Sequence, residues 1–183
     1  MIQLVKGDIT KITDVEAIVN AANWLLLGGD GVDGAIHKAA GPKLRTECIK
    51  LHGCKPGNAK ITGAYNLPCE YVIHTVGPVW KGGFFHEDEV LAKCYTNSLK
   101  VAKDNGIRRV AFSSISTGVF HYPLERAANV AITAVSSFIH DQPNCFELIE
   151  WVLFDDRTYN AYSSQLNIIR KRQTDNSITS ARR

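Results

Sequence analysis

The chain opens on a short alternating run, Ile2-Gln3-Leu4-Val5, which predicts a first strand; Gly7-Asp8-Ile9-Thr10 predicts a turn behind it. The apolar run Val15-Glu16-Ala17-Ile18-Val19 predicts a second strand over residues 16–20, ending at Asn20. An alanine-rich helix is expected from about Asp33 to Gly41-Pro42. Pro42 fits the start of a second helix, with Leu44, Cys48 and Leu51 along one side and Gly53 as its stop. Residues 60–65 and 71–76 read as two strands, split by Asn66-Leu67-Pro68 and closed by Gly77-Pro78. A glycine-containing loop over residues 80–85 leads to Glu87, Asp88 and Glu89, acids that suit a helix start. That helix carries Leu91, Tyr95, Leu99 and Ala102 on one stripe and ends at Asn105-Gly106. A strand over 110–115, a helix from Pro123 with Ala127, Ala131, Ala134, Val135 and Phe138 inward, a strand over 146–154 and a helix over 157–169 complete the pattern.

Strands and helices alternate through much of the chain, which predicts an α/β layered domain. No internal repeat interrupts it. The length of 183 residues suits one domain, here 1–170, followed by a polar tail, 171–183, expected to be frayed, with a basic interaction arm as the sharper alternative. A hydrophobic fraction of 45% and a charged fraction of 21% are those of an ordinary soluble protein. No apolar run reaches membrane-spanning length, and the N-terminus lacks signal-peptide anatomy. A net charge of +3 is too small to argue for nucleic acid or an anionic membrane as partner.

The cysteines, Cys48, Cys54, Cys69, Cys94 and Cys145, are odd in number, which argues for reduced thiols and a cytoplasmic setting. Cys48, His52, Cys54 and Cys69 lie close in sequence, so a zinc site has to be weighed. No C-x-x-C pair occurs, and Cys48 falls on an apolar helix position. Core or surface thiols are therefore expected, with no metal ligated.

The most informative stretch is 20–41, NAANWLLLGGDGVDGAIHKAAG. Glycines let a backbone approach a ligand closely, and the helix start behind them is an anion site. Gly29, Gly31 and Gly34 match G-x-G-x-x-G, but the segment 21–28 intervenes between strand and motif, and no acidic residue ends a following strand about twenty positions on. A hydride-transfer enzyme is excluded; a phosphate-bearing nucleotide is not. One carboxylate, Asp33, sits inside this loop as a helix cap, a catalytic group or both. The second stretch, Ser113-Ser114-Ile115-Ser116-Thr117-Gly118-Val119-Phe120, runs off a buried strand. Its small residues leave backbone N–H groups free to cradle a diphosphate, where an ordinary turn with local Ser and Thr caps is the alternative.

Val19-Asn20-Ala21-Ala22-Asn23 followed by Gly31-Val32-Asp33-Gly34-Ala35-Ile36-His37 resembles the signature of the macro domain family, and within it the MacroD-type ADP-ribosyl hydrolases. Gly7-Asp8-Ile9-Thr10, His74-Thr75-Val76-Gly77-Pro78 and Ile115-Ser116-Thr117-Gly118-Val119-Phe120 continue the resemblance in family order over roughly residues 1–170. It implies a three-layer α/β/α macro fold with a mixed, mostly parallel central sheet. It implies ADP-ribose as ligand, with the Asp8 carboxylate accepting from the adenine amine, the Ile9 N–H at the ring, and Phe154 packing near adenine with Tyr159 on the same side. Asn20, Gly31 and Val32 are implied at the ligand, Ser116, Thr117, Gly118 and Val119 at the diphosphate, and Phe120 at the distal ribose. Asn23 and Asp33 are implied as the catalytic pair: a neutral amide holding a ribose hydroxyl, and a carboxylate that positions or deprotonates water. An ordinary aspartate is a weak base at pH 7, so tuning or mere orientation is expected.

The sequence departs from the family at two places. His121 stands where glycine is common after the aromatic, and Asp30 stands where glycine is common in the first loop; the Asp30 side chain is expected to point to solvent. His37, four residues after Asp33, shares its helix face and makes a dyad possible, while a solvated or packed histidine is the plainer reading.

The resemblance implies an enzyme that removes mono-ADP-ribose from acidic side chains of proteins and deacetylates O-acetyl-ADP-ribose, with no metal or redox cofactor. Its partners would be those nucleotides and mono-ADP-ribosylated proteins, with no membrane or nucleic acid, and the chain a monomer. A non-catalytic ADP-ribose reader, an ADP-ribose 1″-phosphate phosphatase and, remotely, an RNA-binding module are the alternatives.

Overall fold

The computed structural model describes the backbone of residues 1–180 and the side chains of residues 1–172. Its strands are β1 (Ile2–Lys6), β2 (Ala17–Ala21), β3 (Ala59–Gly63), β4 (Tyr71–Thr75), β5 (Arg109–Phe112) and β6 (Leu148–Leu153). Its α-helices are α1 (Gly31–Ala40), α2 (Pro42–Lys50), α3 (Glu87–Asp104), α4 (Leu124–Asp141) and α5 (Asp156–Ser180). The strands form one sheet in the order β1-β6-β5-β2-β4-β3. All neighbours run parallel except β3, which pairs antiparallel with β4 at the edge. This is the mixed, mostly parallel sheet expected.

Both faces of the sheet are covered. In β2, Ala17 and Val19 join a core with the apolar faces of α3, α4 and α5, while Ile18 joins a second core with Ile36 and Ala40 of α1 and Leu44 and Cys48 of α2. Side chains alternate between the faces of a strand, so a strand buried on both sides reads as the continuous apolar run seen at 15–19. Tyr95, Phe112, Trp151 and Tyr162 form the aromatic centre of the first core; the Phe112 and Trp151 rings stack at 5.6 Å.

Several boundaries differ from expectation. β3 ends at Gly63 rather than at 65, and β5 ends at Phe112 rather than at 115. Residues 9–11 form a single 3-10 turn, Ile9–Lys11, capped by the Asp8 carboxylate. β6 is shorter than 146–154 at both ends. α5 runs past 169 through Ser180, into the stretch expected as a tail, because no glycine or proline between 156 and 180 stops it. Lys171 and Arg172 are exposed, and Arg182 and Arg183, named for the tail, lie outside the described residues.

Glu150 is a buried carboxylate in the middle of β6. One oxygen accepts from Gln3 Nε2 at 2.8 Å, and the other has no protein partner among the described residues. Burial pushes its pKa above the ordinary glutamate value, against the smaller opposing effect of the Gln3 bond. A raised folded pKa favours the protonated group, so its contribution is fully present below the unfolded pKa and lost as pH rises through the folded one. Glu150→Gln is accordingly expected to raise stability at pH 7 by about 1 kcal/mol, or about 2–4 °C in Tm, with the gain vanishing toward pH 4. Thermal unfolding across that pH range checks this.

Candidate active site

The parallel strands all end on one side, and that side carries both informative loops. The 21–30 loop leaves the end of β2, and the 113–120 loop leaves the end of its neighbour β5. Between them lies a cavity of about 270 Å³, walled by Ala21, Ala22, Asn23 and Gly29 to Asp33 on one side, Ser114 to Ser116 and Gly118 to Phe120 on the other, with Gly77 behind. Ligands in such sheets bind outside the carboxyl ends of the strands.

The loops can approach because small residues stand where the backbone is crowded. A Cβ on Gly77 would lie 2.1 Å from Ser116 Oγ, and one on Gly34 only 2.2 Å from the Gly29 carbonyl oxygen. Ser116 itself is held buried at φ +65, a conformation sterically costly for a residue with a Cβ. A chain of hydroxyls from the core holds that loop. Tyr95 Oη accepts from Ile115 N at 3.3 Å and lies 3.3 Å from Tyr162 Oη, which is 3.0 Å from Ser114 Oγ; Thr117 Oγ1 donates to Ser114 Oγ at 2.8 Å. Ser116 Oγ has no protein partner among the described residues.

Asp33 is in the first turn of α1 yet buried, at 4% exposure. Its Oδ1 accepts from Asn20 Nδ2 at 2.8 Å, and its Oδ2 lies 3.4 Å from Asn23 Nδ2. Burial raises the Asp33 pKa, partly opposed by the Asn20 bond and by His37. A carboxylate raised in this way is a better base near neutral pH than an exposed one. Asn23 is oriented by the loop: its Nδ2 donates to the Gly28 carbonyl at 2.8 Å and its Oδ1 accepts from Leu25 N.

His37 Nε2 is 3.6 Å from Asp33 Oδ1, too long for a hydrogen bond, and burial lowers its pKa. The ring is not solvated; it packs under Gly28, where an added Cβ would meet it at 3.2 Å. Of the four residues weighed for zinc, only Cys48 lies in a cluster of ligand-capable atoms, with His37 and His74. The Cys48 thiol is pushed up to about 11 by burial, and all five cysteines are free. Asp30 is exposed at the N-cap of α1, on the cavity rim.

Gly31, Val32, Asn23, Asp33, Ser116, Gly118, Val119 and Phe120 thus come together around one cavity. Thr117 turns its hydroxyl back onto Ser114. Asn20 does not line this cavity: it lies fully buried on β2 beneath Asp33, to which its amide donates. Asp8, Ile9 and Phe154 lie outside this cavity, at the carboxyl ends of the adjacent strands β1 and β6. Gly7 N donates to Leu153 O there at 3.0 Å. The Asp8 carboxylate accepts from Thr10 N at 2.9 Å and Thr10 Oγ1 at 2.7 Å, Ile9 is buried, and Phe154 is 81% exposed. Tyr159 packs against the first core.

The profile of the Macro domain family matches residues 19–131, more than half of the chain. The chain belongs to the macro domain family. A macro domain-containing protein of Chlorobaculum tepidum is 54% identical over 166 residues, covering 91% of this chain and 95% of that one. ADP-ribose glycohydrolase MACROD2 of Xenopus laevis is 49% identical over 163 residues, covering 88% of this chain and 39% of that one. A macrodomain variant from Oceanobacillus iheyensis, solved with ADPR, superimposes with a TM-score of 0.87 at 41% identity, covering 92% of each chain. The six-stranded sheet and its flanking helices are therefore the macro fold.

Within this macro domain the departure at His121 has a backbone reading: φ is +55 there, a region that favours glycine. His121→Gly is expected to stabilise the fold by about 0.5–1 kcal/mol, the difference between relief of a left-handed residue and the added flexibility of glycine. Chemical denaturation of the two proteins checks it.

Sequence reading placed Thr62 in a strand and His74 in a strand and in the family resemblance, gave neither a role, and did not single out Ala21, Ala22 or Gly29 as cavity wall. No periodicity marks them; they matter through contacts made across the sheet.

Proposed function

We propose that this macro domain is an ADP-ribosyl hydrolase that releases mono-ADP-ribose from acidic side chains and deacetylates O-acetyl-ADP-ribose. One observation carries the reading: a buried carboxylate with a raised pKa, Asp33, beside the Asn23 amide at a cavity whose facing loop has a hydroxyl, Ser116, without a protein partner among the described residues. ADP-ribose in the cavity would place its diphosphate along residues 116–120 and its distal ribose between Asn23, Asp33 and Phe120. The adenine would then lie toward Asp8, Ile9 and Phe154, at the ends of β1 and β6. The relatives solved with ADPR and named as an ADP-ribose glycohydrolase support this reading.

In the reaction, Asp33 Oδ2 orients water for attack on the ester carbonyl or on C1″ of the ribose. Attack at the carbonyl breaks the bond between the acyl carbon and the ester oxygen; attack at C1″ breaks the bond between C1″ and that oxygen. The water's proton passes to Asp33 or a diphosphate oxygen and then to the leaving group, giving a free carboxylic acid and ADP-ribose. The five free thiols fit a reducing cytoplasm.

Three substrates assayed in parallel on the wild-type chain test the reading: a glutamate-linked ADP-ribosyl protein, O-acetyl-ADP-ribose and ADP-ribose 1″-phosphate. Turnover of the first two, with kcat/KM at least about tenfold above that for the phosphate ester, is expected, since the site is built around water attack at an acyl-linked ribose. Preference for the phosphate ester would overturn it.

A further inference from the structure

A polar line crosses the face of the sheet beneath the site. Asn20 and His74 are direct partners in the β2–β4 pairing, and Thr62 lies diagonally across from His74 on β3. All three are essentially buried. The hydrogen bonds along this line fit together in one direction, assigned from its far end. Thr62 Oγ1 donates its only proton to the Gly63 carbonyl at 3.0 Å, so it can only accept from His74 Nε2, 2.9 Å away. This assigns the His74 proton to Nε2 and a lone pair to Nδ1. Asn20 Nδ2 lies 3.2 Å from that Nδ1 and 2.8 Å from Asp33 Oδ1. Both neighbours are acceptors, so only the amide nitrogen can face them. The reverse orientation would set the amide oxygen against a carboxylate and a lone pair.

We propose that His74 is a positioning residue of the site: through the Asn20 amide it fixes which way the Asp33 carboxylate is held. The proposal deepens the hydrolase reading and rests on it for its kinetic consequence. With Oδ1 bound by Asn20, the carboxylate presents Oδ2 toward Asn23 and the cavity. Without the acceptor at His74 Nδ1, the amide can rotate, and the carboxylate gains a second orientation. The residue suits this task because it stays neutral: burial lowers its pKa to about 3. The titratable groups around it are His37 from α1, Cys48 from α2, whose Sγ is 3.7 Å from Nε2, and Lys60 opposite it on β3, whose amine donates to the Leu51 carbonyl; Asp33 lies on the far side of the Asn20 amide.

The test has a structural arm and a kinetic arm. In the wild-type protein, 15N NMR of the His74 ring is expected to show the Nε2–H tautomer from pH 5 to 8; an Nδ1–H tautomer would overturn the proposal without any variant. Carbon-13 titration of the Asp33 carboxyl in His74→Leu is expected to move to higher pH than in wild type, because Asn20 no longer holds it in place. Neither readout needs substrate, so each stands even if the wild type hydrolyses nothing. In the kinetic arm, His74→Leu and His74→Gln are expected to lower kcat at least about tenfold while ADP-ribose Kd stays within about threefold. His74→Asn, which returns an acceptor near the Nδ1 position, is expected to recover most of kcat. Equal kcat for the Leu and Asn variants, or a parallel loss of binding and kcat, would show a packing role and overturn the proposal. Should the His74 variants fail to fold, the near-isosteric Thr62→Val, which removes the acceptor that sets the tautomer, is expected to give the same fall in kcat with unchanged Kd. Wild-type kcat in Thr62→Val would overturn it.

Discussion

Asp33→Ala is expected to lower ADP-ribose release from a glutamate-modified protein at least about a hundredfold, while affinity for ADP-ribose does not fall. The separation follows from where the carboxylate sits. It is buried, one oxygen is held by Asn20 at 2.8 Å, and the other lies beside Asn23 at the cavity. A negative group so close to an expected diphosphate adds nothing to ground-state binding, so its removal leaves binding intact or improves it. Its value is in holding or deprotonating water, which the transition state needs and the bound product does not. The pH profile carries a second mark of the same group. Because burial raises the Asp33 pKa, the ionised base is present above that pKa, and wild-type kcat should climb as pH rises through it. Asp33→Ala should lose that limb. Steady-state kinetics from pH 4.5 to 8, with calorimetric titration of ADP-ribose, measures both.

Gly34→Ala is expected to destabilise the fold by about 2–3 kcal/mol and to weaken ADP-ribose binding at least about tenfold. Helix propensity alone argues the opposite sign, since alanine in a helix is favoured over glycine by about 1 kcal/mol. The local geometry decides. Gly34 is in the first turn of α1, and an added Cβ would fall 2.2 Å from the Gly29 carbonyl oxygen. That neighbour is backbone and cannot turn away as a side chain would. Relief requires moving Gly29, which lies against the site: its own Cβ position is 3.2 Å from Asp33 Oδ2 and 3.4 Å from Asn23 Nδ2. The strain therefore reaches both proposed catalytic side chains. Gly118→Ala is the stability control, because no described residue lies within 4 Å of its Cβ position. Thermal unfolding and ADP-ribose titration of the two variants give the comparison; a stable Gly34→Ala with wild-type affinity would mean that the close approach of loop and helix does not matter.

These expectations mark how far the sequence could be read. The elements around the site were legible because each carries a local signal. The apolar run at 15–19 is a strand buried on both faces, Pro42 and Gly53 bracket α2, and acids open α3. The two loops were legible as ligand-facing from glycines and small residues after buried strands. What the sequence concealed depends on tertiary contact. Asn20 reads as the end of a strand facing the ligand, yet β2 continues through Ala21, and the side chain turns into the sheet face to hold Asp33. His74 reads as one polar residue in an apolar strand, and only the register with Asn20 and the diagonal Thr62 reveals its use. Tyr95 and Tyr162 occupy apolar stripes of α3 and α5, so nothing in the periodicity says that their hydroxyls brace the 113–117 loop. The full length of α5 is not legible because its end carries no stop signal, only a change toward polar residues.

The measurement to make first is ADP-ribose release from a mono-ADP-ribosylated, glutamate-modified protein by the wild-type chain, with ADP-ribose binding titrated on the same preparation. Multiple turnovers alongside saturable binding are expected if the cavity between the 21–30 and 113–120 loops is a hydrolase site with Asp33 in its chemistry. Saturable binding without release would make the chain a reader of ADP-ribose and contradict the roles given to Asn23 and Asp33.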